Sequence, residues 1–112
     1  MMVSFKGIGQ CCATFMGEAL EEGCVVKVSA AGTAAQCEAG EAFLGVVICA
    51  EEDAATVQVG GFAQVKYSGS APAVGFVSLV ADGKGGVQSG EGGMKVWVVD
   101  KDETEQTAMI LL

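Results

Sequence analysis

The 112-residue chain has no histidine and no arginine, only six lysines, a single proline and seven aromatic residues. Histidine is the side chain whose ordinary titration falls near neutral pH, and arginine is the planar fork that grips phosphates and carboxylates. Their absence removes the usual acid–base and phosphate-handling chemistry. It also leaves a cysteine nucleophile without the imidazole base that would activate it. Six lysines face fourteen acids, for a net charge of −8. That sign opposes a nucleic-acid surface, which needs clustered cations to displace counterions, and it favours dispersal at high concentration. No apolar run approaches the roughly 18 residues of a membrane span. Met1 to Gln10 holds one lysine and no continuous apolar stretch, so no leader peptide and no membrane association are expected, and the chain is expected to stay in a cytoplasm.

What is present is glycine and small β-forming residues: 17 glycines pace short runs of valine, alanine and phenylalanine, within a hydrophobic fraction of 51%. The length suits one domain spanning 1–112, with 1–10 expected as an extended arm. The aromatic residues Phe5, Phe15, Phe43, Phe62, Tyr67, Phe76 and Trp97 are expected to anchor most of a thin core. Alternation and turn punctuation place strands at 11–15, 24–29, 33–37, 43–50, 55–59, 62–67, 75–81, 87–89, 94–100 and 107–112. The segment GEALEE (17–22) reads as one helical turn stopped by Gly23. The run FLGVVICA (43–50) is apolar on both faces and is expected to be buried on both sides. Gly60-Gly61 reads as a two-residue hairpin, and 68–74, with Pro72, as a loop between two halves. The expected fold is all-β: a small β-barrel or sandwich-like roll of about eight to ten short strands.

Three features invite a chemical reading. Cys12, Cys24, Cys37 and Cys49 recur about every 12 residues, near the strand spacing of sandwiches and barrels. Equivalent inward positions for reduced, apolar thiols are expected from this; a cysteine-only zinc site is the alternative, but it lacks paired ligand spacing. The segment DGKGGV (82–87) is rich in glycine, yet Lys84 is followed by glycine and a strand-like run where a Walker loop needs Ser or Thr and a helix, so a hairpin turn is expected. The acid runs 51–53 and 100–105 lack the glycine and spacing of a calcium loop and read as solvated turns. No catalytic, metal-binding or cofactor-binding residue is assigned, and no cofactor is expected.

In MKVWVVD (94–100), Val96 and Val98 share one face while Trp97 and Val99 share the other, so both faces are apolar. Either a second sheet or the arm covers them, or they form a subunit interface. Tryptophan is a favoured interface anchor, and the run AMILL (108–112) adds further apolar surface. Phe5, Trp97, Val99, Met109, Ile110 and Leu111 are accordingly assigned to an oligomer or partner interface.

The succession LEEGCVVKV (20–28), FLGVV (43–47), ATVQVGGFAQV (55–65) and GFVSLV (75–80) resembles the small β proteins that decorate the heads of tailed phages, the capsid cement or head decoration proteins. The likeness covers about 20–80, and the chain departs from it by continuing through 84–112. The resemblance implies a non-enzymatic phage or prophage protein, made in the bacterial cytoplasm and then carried on the capsid surface. It further implies a major capsid protein as partner and a homo-oligomer, often a trimer, that stabilises the expanded shell through many repeated contacts. Residues 1–10 are then an arm suited to adding a strand to a sheet edge of the capsid. Another virion component, such as a tail or tail-tube subunit, shares most of these features. A small-ligand β-barrel with an acid-lined end at 51–53 is a rival from a different class.

Overall fold

A computed structural model describes residues 9–112, and the first eight residues lie outside the described region. Ten strands follow one another: β1 Cys11–Met16, β2 Val25–Ala30, β3 Thr33–Gln36, β4 Gly45–Ala50, β5 Ala54–Gly60, β6 Phe62–Lys66, β7 Gly75–Ala81, β8 Val87–Ser89, β9 Met94–Asp102 and β10 Thr107–Leu111. The first five close into a barrel in the order β1-β3-β2-β4-β5, and the last five form a sheet in the order β6-β10-β9-β7-β8. The all-β roll expected from alternation and glycine pacing is therefore the fold of the chain.

The barrel closes through six antiparallel pairs of β1 with β5, from Cys11↔Gly60 to Met16↔Ala54, and one parallel pair of β1 with β3, Met16↔Thr33. Five strands enclose a narrow bore, and its filling is correspondingly small: Val26, Ala34, Val47, Ala55 and Val57, with Phe15 and Leu20 packed against them. The second sheet covers a larger core of Leu79, Ile110, Val65, Val87, Val96 and Val98, together with Phe43 and Tyr67.

The two cores share a wall. On β2, Val25 belongs to the sheet core and Val26 to the barrel core; on β4, Val46 and Val47 divide in the same way. Successive side chains on a strand point to opposite faces, so these two strands serve both interiors at once. The expectation of a doubly buried 43–50 is met only here. Beyond Val47 the strand leaves the shelter of the second sheet, and Ile48 and Cys49 are exposed. The connection 37–44 binds the layers: Leu44 N donates to Val26 O, Gly40 N to Ala81 O and Ala81 N to Glu41 O. Lys27 Nζ reaches both Glu41 carboxylate oxygens at 2.8 Å, and Glu41 Oε1 accepts from Glu38 N at 2.7 Å.

Close backbone approach explains Gly45. A Cβ there would fall on the Gln58 carbonyl of β5. Gly61 is constrained twice over, by a left-handed φ of +86° and by Gly9, whose carbonyl would meet an added Cβ.

Several expectations are corrected. Gly60-Gly61 is not a hairpin: β5 pairs with β1 and β4 while β6 pairs with β10, so the glycines carry the chain from barrel to sheet. The division between halves falls at this crossover, and 68–74 is an internal connection of the sheet. Segment 17–22 forms bends and turns, not a helical turn, and Ala19 sits at φ +56°. Only Phe43 and Tyr67 among the described aromatic residues are buried; Phe76 and Trp97 are exposed. The cysteines are not equivalent either. Cys37 is buried and Cys24 half-buried, whereas Cys11, Cys12 and Cys49 are exposed, all five as free thiols. A 12-residue repeat cannot keep one face inward when the strands differ in length and carry bulges in β2, β4 and β5.

Candidate interaction surface

The outer face of the second sheet carries the largest exposed aromatic surface of the described residues. Cross-strand register puts Phe76 opposite Trp97, Trp97 opposite Leu111, and Leu111 opposite Phe62. Directly opposed residues share a face, so these four side chains form one row across β7, β9, β10 and β6. Phe76 and Trp97 are 56% and 51% exposed, with ring centroids 5.3 Å apart and planes tilted by 41°. That geometry is within the favourable range for aromatic pairs. Val74, exposed just ahead of β7, extends the surface. Lys95, opposite Ser78, marks its polar margin.

Of the residues assigned to an interface, Trp97 is exposed, and Met109 and Leu111 are half-buried on the same face. Ile110 is corrected: it is fully buried in the sheet core, because alternation along β10 turns it inward between Met109 and Leu111. Val99 does not share Trp97's regular position. Asp100 pairs with Met109 and Val98 with Ile110, leaving Val99 as the extra, half-buried residue of a bulge. Phe5 lies outside the described residues. Phe76 and Val74 belong to this surface although no sequence argument put them there. The signal was present: Ser78 on β7 and Lys95 on β9 fall two residues from Phe76 and Trp97, on the same faces, and mark those faces as solvent-side.

A groove of about 550 Å³ runs between β6 and β4, lined by Val46, Ile48, Ala63, Lys66, Glu22 and Gln10 among others. At its base lies Gln58, the one buried polar side chain among the described residues. Its amide donates to Phe62 O at 2.8 Å and Gly60 O at 3.0 Å, and its Oε1 accepts from Gln10 Nε2 at 3.3 Å. These bonds fix the crossover and leave no buried donor unmatched. A second hollow at the barrel end is lined by Glu18 and Asp53 with Ser29 and Thr33.

The glycine loop after β7 is filled from within. Asp82 Oδ1 accepts from Lys84 N at 2.6 Å and Gly86 N at 3.0 Å, and Ser68 Oγ donates to Oδ2. The amides that could cradle a phosphate already hold a carboxylate, and the loop closes the β7–β8 hairpin. Asp102 plays a similar part between β9 and β10, taking Thr104 N at 3.0 Å and Glu105 N at 3.2 Å. Burial pushes the Cys37 thiol up to about 11, with Glu41 adding to the effect, so this thiol is an inert core group at neutral pH. Among the described residues no three histidine, cysteine or acidic side chains are grouped as a metal ion requires. Comparison with known proteins returned no matching family model and no matching curated relative.

Proposed function

We propose that the chain is a non-enzymatic virion protein of the head-decoration kind, which binds a major capsid protein lattice and stabilises it through its outer sheet face. The observation that carries this reading is the Phe76–Trp97 pair, two large aromatic side chains half exposed and directly opposed across β7 and β9. Tryptophan and neighbouring aromatics are the side chains that most often dominate binding energy. A sheet face presents them with little entropy left to lose. Copies of the chain associate with one another in the same reading, as a trimer if the likeness to decoration proteins extends to assembly. The rival reading, an acid-lined ligand barrel, has less support: Glu22 is the one acid on the groove between β4 and β6, and the barrel-end hollow brings Asp53 together with Glu18 alone, while Glu51 and Glu52 do not line it.

Co-sedimentation with expanded, undecorated heads of the encoding phage tests the proposal. Saturable binding is expected, and Trp97→Ser with Phe76→Ser should weaken it by about thirtyfold or more, the effect of losing about 2 kcal/mol at a binding hot spot. No binding of the intact chain at any salt concentration would overturn it, as would unchanged affinity of the folded double variant.

A further inference from the structure

Along β9 the Phe76–Trp97 pair is flanked by charges of opposite sign. Lys95 stands two residues before Trp97 on the same outward face, opposite Ser78. Asp100 follows Trp97 by three residues, and strict alternation would turn it inward. The bulge at Val99 reverses this: Val98 pairs with Ile110 and Asp100 with Met109, so Asp100 faces outward and lies two ladder positions from Trp97, as Lys95 does on the other side. One cation and one anion therefore bracket the aromatic pair at equal spacings of about 7 Å. Both are exposed. Neither enters an ion pair among the described residues, where Lys27 joins Glu41 and Lys101 joins Glu103.

We infer that this face is self-complementary and that its occupant is a second copy of the chain, laid face to face about a two-fold axis that runs across the strands, along the line from Phe76 to Trp97. A half-turn about that axis sets the aromatic pair on its own counterpart and reverses the strand direction. Each Lys95 then lies over the partner's Asp100, once on either side of the row, as an isologous contact requires. A half-turn about the strand direction would instead set lysine on lysine and acid on acid, so charge selects the first arrangement. The net charge of −8 does not oppose it strongly, because residues 62–112 carry six acids against four lysines and these are the halves that meet. The patch covers on the order of 300 Å² a copy, well below the roughly 800 Å² per partner of stable complexes, so the pair is weak and parts readily. The inference does not rest on capsid binding. It adds that the row is closed in concentrated free protein, and that any other partner using the row must displace the second copy.

Sedimentation equilibrium of the full chain, from about 10 µM to about 1 mM and with no capsid present, tests it. A monomer–dimer equilibrium is expected, and Trp97→Ser should weaken it at least about tenfold. Lys95→Asp puts acids on both sides of the row and Asp100→Lys puts lysines on both, so each variant alone should also pair at least about tenfold more weakly. The double variant Lys95→Asp/Asp100→Lys should pair about as well as the wild type, and the two single variants mixed in equal amounts should form a heterodimer. These rescues separate a contact between copies from damage to the fold. A chain that stays monomeric throughout would overturn the inference, as would a trimer as the first assembled species, a dimer indifferent to Trp97→Ser, or charge variants that neither the exchange nor the mixing restores.

Discussion

The barrel and the sheet are built from the same small residues and divide their duties unequally. Residues 9–61, which form the barrel, hold eight acids against one lysine, whereas 62–112, which form the sheet, hold six acids against four lysines. The barrel closes on itself; the sheet is open, ending in β6 and β8, and carries an aromatic row on its outer face. In the proposed role, the aromatic row therefore sits on the half where like-charge repulsion is weakest, so that a strongly acidic chain can present it to a partner.

The contrast in core size gives the largest expected effects. Ile110→Ala empties the sheet core and should cost about 2–5 kcal/mol, whereas Val57→Ala, in the narrow barrel, removes less side chain and should cost about half as much. Chemical denaturation of both variants measures this. The shared β2–β4 wall further predicts that Trp97 fluorescence, which reports on the sheet, and far-UV circular dichroism, which reports on both halves, lose their signals together. Separate midpoints would break the idea of coupled layers. Next in size, Gly45→Ala drives a methyl into the Gln58 carbonyl across β4 and β5 and should cost about 1–3 kcal/mol, read by the same melts.

Two titrations give smaller effects. Cys37 is raised from 9.0 to about 11 by burial, so the unfolded thiol ionises first. Stability should fall as pH rises from about 9 towards 11, and Cys37→Ala should remove that slope even though it lowers stability at neutral pH. At the other end of the scale, the hydrogen bond from Lys27 holds the Glu41 carboxyl below the usual range. Its contribution is present above the ordinary glutamate pKa and is lost as pH falls through the depressed folded value. Urea midpoints across acid pH for the wild type and Glu41→Gln should converge as that carboxyl protonates; both groups are solvent-facing, which keeps the effect modest.

Much of the fold is legible in the chain. All ten strands fall within a few residues of where alternation and glycine punctuation place them, because side-chain period and turn chemistry are local properties. Pairing is less local. Gly60-Gly61 has the composition of a hairpin, but whether β5 turns back on β6 depends on β1 and β10 competing for those edges, and no window of sequence contains that competition. Lys95, two residues before Trp97, marks that face of β9 as solvent-side, while the inward turn of Ile110 is hidden because AMILL masks its alternation behind five apolar letters. Val99 was misplaced by a bulge that becomes visible only when β10 is laid alongside. The groove was illegible altogether, since its walls come from Gln10, Glu22 and Gly23, from 46–48 and from 62–66, and meet only after both layers are in place.

The arrangement of Val25 with Val26, and of Val46 with Val47, also acts as a check on alignment during folding. If β4 slid by one position against its neighbours, each valine of a pair would turn to the wrong compartment, and both interiors would lose their fit in the same step. A mispaired barrel therefore cannot be rescued by a well-formed sheet, and the two halves can reach their final packing only when they agree on a single offset.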